Sequence, residues 1–145
     1  GSIPSEIGNL INLTYLWLRD NELTGSIPSE IGNLINLTSL ALYDNQFSGS
    51  IPPEVGNLTY LSRLRVDNNE LIGSIPPEIY SLTNLDILRL NDNLLTGTIP
   101  ESICDLNINW MDDYSFRISN NQLCPPYPSC IEEDNVGEQD QSDCD

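Results

Sequence analysis

Apolar residues recur with a period of 24 along most of this chain. Within each period, a short stretch alternates apolar with polar or aromatic residues, and its first copy is Tyr15-Leu16-Trp17-Leu18-Arg19. Such alternation predicts a strand whose leucines point inward while the other side chains point outward. Later copies begin near residues 39, 63, 87 and 114, so the sequence predicts five short strands.

The second half of each period carries a different signal. Gly-Ser-Ile-Pro or Gly-Thr-Ile-Pro begins at residues 1, 25, 49, 73 and 97. The glycine allows a backbone conformation that other residues resist. Pro28 and its equivalents are expected to end strand pairing before a short helical turn. Glu30, Glu54 and Glu78 fall near the positive end of that turn, where a carboxylate is favourable.

An asparagine occupies the same place after each predicted strand. We expect its amide to turn inward and satisfy backbone groups that the bend leaves unpaired. These residues are Asn21, Asn45, Asn69, Asn93 and Asn121. The preceding positions form a row of oxygen-bearing side chains, namely Asp20, Asp44, Asn68, Asp92 and Asn120. Calcium accepts such ligands, but hydrogen bonding within the local turn is the favoured interpretation.

Strands that recur at a fixed period are expected to stack in parallel, about 4.8 Å apart, and to line one face. The pattern L-x-x-L-x-L-x-x-N-x-L, followed by L-x-G-x-I-P, resembles the plant-type leucine-rich repeat family. That family includes receptor kinase ectodomains and polygalacturonase-inhibiting proteins, and the resemblance runs from residue 1 to about residue 130. It implies an α/β solenoid, with a parallel β-sheet on the concave face and short 3₁₀ or helical turns on the convex face.

Two regions are expected within one domain. Residues 1–123 form five repeats, and residues 124–145 form a cysteine cap with an acidic tail. The fifth repeat is longer, because Asn93 and Asn121 are 28 residues apart, and the additional residues lie around Trp110-Met111-Asp112-Asp113. Since the first Gly-Ser-Ile-Pro already lies inside a repeat, the chain is expected to be a fragment or a trimmed mature form without an N-terminal cap.

The four cysteines are Cys104, Cys124, Cys130 and Cys144. Their even number and clustering favour two disulfides and an oxidising compartment over a zinc site, which would use closely paired cysteines. The residues alone leave all three connectivities open. The segment around Cys124 and Cys130 resembles the Leu-Cys…Pro-Ser-Cys cap of the plant inhibitors, although it lacks their glycine after the first cysteine. That resemblance implies Cys124–Cys130 and Cys104–Cys144 bridges.

The charge balance excludes several classes of partner. The chain has 22 acidic residues, five arginines, no lysine and no histidine, for a net charge of −17. Such a surface repels nucleic acid and anionic lipid, and no apolar stretch approaches the roughly 18–20 residues of a membrane span. The sequence therefore predicts no nucleic-acid partner and no membrane insertion, and we expect an extracellular or cell-surface location.

Few side chains are suited to catalysis. Without histidine, lysine or a free-cysteine pattern, the Ser and Thr residues have no candidate base beyond scattered carboxylates. We therefore expect no enzyme activity, no cofactor and no metal site. The segment 132–145 contains seven acids and no base, which predicts a solvated tail held only by Cys144.

All five arginines and three aromatic residues fall on outward positions of the predicted strands. The candidate ligand-binding residues are Tyr15, Trp17, Arg19, Tyr43, Arg63, Arg65, Arg89 and Arg117. Arg65, Arg89 and Arg117 form one column whose mutual repulsion calls for an anion, since guanidinium groups grip carboxylate, sulfate or phosphate. The alternative interpretation is that Asp67 bridges Arg65 and Arg89 in an exposed ion-pair network.

These features favour a recognition module that binds an acidic protein segment or an acidic polysaccharide on its concave face. The alternatives are a structural or adhesive spacer and an ice-binding repeat protein. A bare N-terminal stack end would favour self-association, and it would comprise Ile3, Ile7, Leu10, Leu13, Leu16 and Leu18. Asn12, Asn36 and Asn57 match the glycosylation acceptor pattern, but the first two follow from the repeat itself.

Overall fold

A computed structural model describes all 145 residues, and they form ten short strands in two parallel sheets. The strands are β1 (Tyr15–Trp17), β2 (Thr24–Ser26), β3 (Ser39–Ala41), β4 (Gln46–Gly49), β5 (Arg63–Arg65), β6 (Glu70–Gly73), β7 (Ile87–Arg89), β8 (Leu94–Thr98), β9 (Phe116–Arg117) and β10 (Gln122–Cys124). Five 3₁₀ turns lie at Ser5–Asn9, Ser29–Asn33, Pro53–Asn57, Pro77–Ser81 and Glu101–Asp105. One short helix, α1, spans Glu133–Val136.

The first sheet has the order β1-β3-β5-β7-β9 and confirms the predicted parallel stack. Leu16 pairs with Leu40, which pairs with Leu64, so equivalent residues 24 apart lie side by side. These leucines are buried. The outward residues consequently form straight columns across the concave face.

The second sheet, with the order β10-β8-β6-β4-β2, was not predicted from the sequence. It forms at the L-x-G-x-I-P segments, where backbone groups find partners in the neighbouring repeat. Here Thr24 pairs with Gln46 and Ser48 pairs with Glu70, so partners are 22 residues apart. Each strand therefore slides by two residues relative to the strand before it, and equivalent residues do not form straight columns.

The predicted asparagine ladder is confirmed for the second to fifth repeats, whereas Asn21 is exposed and donates only to carbonyls of its own turn. The side-chain amide of Asn69 donates to the carbonyl of Val66 at 3.0 Å and to that of Leu42, in the preceding repeat, at 3.1 Å. Its Oδ1 accepts the N–H of Phe47 at 3.0 Å. Asn45, Asn93 and Asn121 repeat this arrangement.

The row before the ladder has a left-handed backbone. Asp20, Asp44, Asn68, Asp92 and Asn120 have φ between 54° and 57°. Asn and Asp tolerate this conformation better than other residues with a β-carbon, which explains the recurrence of these two residue types.

The 3₁₀ turns stack closely on the convex side because glycine recurs within them. A β-carbon on Gly56 would lie 2.5 Å from the β-carbon of Glu78 in the next turn. A β-carbon on Gly8 or Gly32 would lie 2.9 Å or 2.7 Å from the β-carbon of the following glutamate. Tyr80 holds the equivalent place in the fourth turn, and the fourth and fifth turns contact each other at far fewer residues. Burial raises the pKa of Tyr80 to about 12, and its hydroxyl has no hydrogen-bond partner.

A single hydrophobic core of 33 buried residues runs from Ile3 to Val136, which places the whole chain in one domain. The prediction of a bare N-terminal stack end is wrong for most of its residues. Ile3 and Leu16 are buried, and Ile7, Leu13 and Leu18 are partly buried against the same core. They point toward the second repeat, which covers them. Leu10 is 51% exposed.

The two disulfides form, but the connectivity implied by the plant inhibitors is wrong. Cys104 pairs with Cys130, and Cys124 pairs with Cys144. The Ser129 N–H donates to the Glu101 carboxylate at 3.0 Å, which places Cys130 beside the fifth 3₁₀ turn and therefore beside Cys104. Cys124 ends β10, and the C-terminal segment returns along this edge of the molecule to bring Cys144 to it.

The acidic segment is not the solvated tail that its composition predicts. Its backbone pairs with the last repeat, since the Asn120 N–H donates to the Glu138 carbonyl at 2.7 Å and the Asp140 N–H donates to the Asn121 carbonyl at 2.8 Å. Val136, in α1, is buried against the core. The segment therefore closes the C-terminal end of the stack, with its acidic side chains facing solvent.

Candidate ligand-binding site

Two small residues leave a hollow on the concave face. Both outward positions of β3 are small, and each lies between large residues of β1 and β5. The two rows are Tyr15, Ser39, Arg63 and Trp17, Ala41, Arg65. The hollow has a volume of about 210 Å³. We call it the β3 notch, and it is lined by Trp17, Arg19, Ser39, Leu40, Ala41, Tyr43, Arg63, Arg65, Ile87 and Tyr114.

Trp17 forms the N-terminal side of the notch, and Tyr15 packs against it. The rings of Tyr15 and Trp17 meet edge to face, with centroids 5.6 Å apart. The Trp17 indole N–H donates to the Ser39 hydroxyl at 3.0 Å, which fixes the indole at the edge of the notch. Both aromatic side chains remain more than half exposed, at 60% for Tyr15 and 56% for Trp17. Their exposed surfaces are therefore accessible to a partner.

Arg65 and Tyr43 form the opposite side as one fixed unit. The Arg65 guanidinium lies 3.6 Å from the centre of the Tyr43 ring. It also donates to Asp67 from Nη2 at 2.8 Å and from Nε at 3.2 Å. Burial acts to lower the pKa of Arg65, but the hydrogen bonds and charge of Asp67 outweigh burial, and the pKa is raised. Arg65 therefore carries a permanent charge that Asp67 already neutralises.

Arg63 differs from the other arginines because it has no partner within the protein. Arg65 and Arg89 pair with Asp67, Arg19 with Asp20 and Arg117 with Asp113, whereas Arg63 forms neither an ion pair nor a side-chain hydrogen bond. Its side chain is exposed at the wall of the notch. Arg63 is therefore the cation best placed to meet an external anion.

The column of Arg65, Arg89 and Arg117 is only partly balanced within the protein, because three guanidinium groups share two carboxylates. Asp67 lies 2.8 Å from Arg65 and 3.9 Å from the Nε of Arg89, so it bridges them as the alternative interpretation expects, although at 5% exposure it is buried rather than exposed. The buried Nε of Arg89 has no hydrogen-bond partner. Arg117 pairs with Asp113 at 3.4 Å, within the insertion of the fifth repeat. These ion pairs reduce the repulsion within the column and leave one positive charge in excess.

The structure brings together most of the residues predicted to bind a ligand. Trp17, Arg19, Tyr43, Arg63 and Arg65 line the notch, and Tyr15 packs against Trp17. Arg89 and Arg117 lie outside the notch on later strands.

Sequence reasoning missed five residues of the lining, namely Ser39, Leu40, Ala41, Ile87 and Tyr114. The sequence carries one signal for this lining. The outward residues of β3 are small, and the repeats on either side have large residues at the same positions. Tyr114 belongs to the insertion, where no repeat indicates the direction of a side chain.

The stacked parallel strands, the asparagine ladder and the regular outward columns define a repeat solenoid with one regular concave face. A family model described as a leucine-rich repeat region matches residues 3–93, and a second, described as a leucine rich repeat, matches residues 84–106. The chain belongs to the leucine-rich repeat family, and it is of the plant type.

Solved structures give the same assignment. A plant ice-binding protein is 38% identical, with a TM-score of 0.76 over 85% of this chain and 39% of its own. The plant peptide hormone receptor RGFR1, in complex with RGF2, is 41% identical, with a TM-score of 0.77 over 85% of this chain and 19% of its own. The ectodomain of the Arabidopsis receptor kinase HAESA, in complex with an IDA peptide hormone ligand, is 35% identical, with a TM-score of 0.75 over 90% and 25%.

This chain spans only part of each of these proteins. It covers 39% of the ice-binding protein and 19% of RGFR1. A comparison with curated protein sequences gives no match. None of the helices has the length and apolar character needed to cross a bilayer.

Proposed function

We propose that this chain is an extracellular recognition module whose concave face binds an acidic segment of a peptide or protein. The observation that carries the proposal is the position of Arg63. It is a cation without an internal partner, and it lies at an aromatic-lined notch of a protein whose net charge is −17. An exposed guanidinium with free donors can bind a carboxylate through two parallel hydrogen bonds.

The solved relatives support a protein ligand over a polysaccharide. RGFR1 and HAESA were both solved with peptide hormones. Exposed Trp, Tyr and Arg side chains are the types that most often dominate protein recognition. The notch combines all three, and its fixed Arg65–Tyr43 unit needs no ordering when a ligand binds. An acidic polysaccharide is the competing ligand for the same arginines.

The two disulfides support the extracellular assignment. Disulfides persist in oxidising compartments and are rare where thiols are kept reduced.

Removal of the charge of Arg63 tests this function. We expect Arg63→Gln to weaken the binding of acidic peptides about tenfold or more, because a charge-assisted pair is lost. Arg117→Gln is the matched control, since Arg117 is also outward but is paired with Asp113. The probes are acetylated and amidated peptides with glutamate at varied positions, together with polygalacturonate. Binding of polygalacturonate but of no peptide would overturn the choice of a protein ligand, and binding of neither would favour a spacer.

Ice binding is a second candidate, because a plant ice-binding protein is among the similar structures. Ice-binding surfaces need flat and regular arrays, and the second sheet carries exposed Thr24, Ser26 and Thr98. The two-residue slide between its strands breaks such an array, and Glu70 adds a charge to it. Thermal hysteresis in a freezing assay, lost in Thr24→Leu but kept in Arg63→Gln, would establish this function instead.

A further inference from the structure

We infer that the β3 notch receives one aromatic side chain of the bound acidic segment. This inference rests on the proposed function and specifies the ligand: an extended peptide with an aromatic residue close to a carboxylate. The shape, the size and the chemistry of the notch each support it.

The shape is that of a socket for one side chain. On the concave face, large outward residues flank small ones in two adjacent rows, so the depression is bounded by Trp17 on one side and by Arg63 and Arg65 on the other, with Ile87 and Tyr114 beyond the arginines. Its floor residues Ser39 and Ala41 are buried, at 5% and 8% exposure. Its volume of about 210 Å³ is below the roughly 300–1,000 Å³ of pockets that enclose whole small molecules. A single large side chain is the occupant of matching size.

The chemistry of the walls favours a ring over an aliphatic group. Trp17 offers an aromatic surface on one side, and rings pair with rings at a gain beyond their apolar contact area. Arg63 offers a guanidinium on the other side, and a cation is attracted to the face of a ring. Tyr43 does not offer its ring face to Arg63, because the Arg65 guanidinium already lies over that face. An aromatic occupant would contact the walls formed by Trp17 and Arg63 together.

The position of the carboxylate follows from strand geometry. Residues i and i+2 of an extended peptide point to the same side and are about 6.6 Å apart. Arg63 lies on β5, one strand from the floor of the notch on β3. A carboxylate two residues from the ring can therefore reach Arg63 while the ring occupies the notch. The unpaired Arg63 attracts an acidic peptide. A second copy of this chain is a poorer partner, because two molecules with a net charge of −17 repel each other.

Titration of the isotope-labelled protein with three peptides tests the inference, with the Trp17 indole signal as the readout. The probes are acetylated and amidated Gly-Phe-Gly-Glu-Gly, Gly-Ala-Gly-Glu-Gly and Gly-Phe-Gly-Gln-Gly. We expect the first peptide to bind about tenfold or more tightly than the second, because the second leaves the notch empty. Ala41→Leu, which fills the notch, should reduce binding of the first peptide to the level of the second.

Two controls keep the test decisive. Ser26→Leu also enlarges a small side chain, but at an exposed position of β2 in the second sheet, and should leave binding unchanged. Trp17→Ser removes one wall without filling the notch, so it serves if Ala41→Leu fails to fold. Equal binding of the first two peptides by the wild-type protein would overturn the inference and leave the proposed function intact. Equal binding of the first and third peptides would overturn the acidic specificity and leave the aromatic socket intact. Absence of binding by all three would overturn both.

Discussion

The side-chain oxygen of Gln139 accepts the backbone N–H of Leu123 at 3.1 Å. Asn121 forms the same bond with the N–H of Leu95 at 3.0 Å, so Gln139 acts as a sixth member of the asparagine ladder. Its amide donates to the carbonyl of Ile118 at 2.8 Å, as Asn45, Asn69, Asn93 and Asn121 each donate to the preceding repeat. A segment with no repeat sequence thus completes the backbone bonding of the last repeat.

Gln139→Leu should destabilise the C-terminal end, because the buried N–H of Leu123 loses its acceptor. We expect a loss of about 1–3 kcal/mol in the free energy of unfolding. Hydrogen exchange should increase first at Leu123 and its neighbours. Gln46→Leu removes an exposed glutamine that forms no side-chain hydrogen bond and is the control. Unchanged protection of the Leu123 amide would contradict this role for Gln139.

Peptide mapping without reduction should find Cys104 joined to Cys130 and Cys124 joined to Cys144. Cleavage after Arg117 and after Glu132, Glu133 and Glu138 leaves Cys124 and Cys130 on one peptide and separates Cys104 from Cys144. The connectivity in the structure joins the three peptides into one species, and fragmentation of that species between Cys124 and Cys130 should leave the Cys104 peptide attached to Cys130 and the Cys144 peptide attached to Cys124. A free peptide with an internal Cys124–Cys130 bridge would contradict it. Reduction should loosen the C-terminal repeats before the N-terminal ones, with about 2–4 kcal/mol lost for each bridge.

Gly56→Ala should destabilise the protein although alanine favours helical turns. The added β-carbon would meet Glu78 at 2.5 Å, and the stacked turns would have to separate. Overpacking of this kind costs about 1–3 kcal/mol, which a denaturant titration can measure. Gly1→Ala, where nothing lies within 4 Å of the added carbon, should be neutral. Equal stability of the two variants would show that the turns have room to separate.

Acid should weaken the attachment of the C-terminal cap at Glu101. Hydrogen bonds from the hydroxyl and N–H of Ser129 lower the pKa of this carboxyl. Its stabilising contribution is therefore complete above the unfolded-state pKa of about 4.3 and is lost as the pH falls through the lower folded-state pKa. The difference in melting temperature between the wild-type protein and Glu101→Gln should shrink below about pH 4. Acid also relieves charge repulsion in both proteins, and comparison of the two cancels this shared effect. A difference in melting temperature that stays constant with pH would exclude the linkage.

The exposed edge of the first repeat should support weak self-association. Leu10 and Ile11 are 51% and 55% exposed, and they line a shallow hollow with Leu13. A single patch that pairs with itself forms a two-fold dimer. Light scattering over a concentration series should detect it, and Leu10→Ser with Ile11→Ser should abolish it. Ile35→Ser removes an equally exposed isoleucine from the second repeat and should have no effect. A strictly monomeric wild-type protein would contradict the prediction.

The sequence predicts what the repeats impose. A residue such as Asn69 has equivalents with identical tasks, so its inward direction and its backbone partners follow from the period. The registers of the concave columns follow for the same reason, since Trp17, Ala41 and Arg65 are each 24 residues apart. The second sheet escaped prediction because its strands do not pair at that period.

Apart from the second sheet, the features that were missed or wrongly predicted occur once in the chain. Gln139 takes the ladder position without being an asparagine, so the repeat pattern does not identify it. A strongly acidic composition predicts a solvated segment even where the backbone is hydrogen-bonded. Cys130 lies beside Cys104 because of a hydrogen bond between Ser129 and Glu101, which no spacing pattern indicates. The pairing of Arg65 with Asp67 was foreseen only as an alternative, since the pattern places both side chains on one face without giving their distance.

The lining of the β3 notch comes from all five repeats, which links its shape to the way such proteins grow. A duplicated 24-residue unit inserted after residue 72 would preserve the glycine stack and the ladder, but it would move Ile87 and Tyr114 one further strand spacing, about 4.8 Å, from Trp17 and Arg63. The same duplication between β1 and β3 would instead add that spacing between Trp17 and the arginines. The gain of a repeat at either place would therefore reshape the hollow in a single event while the scaffold around it stayed the same.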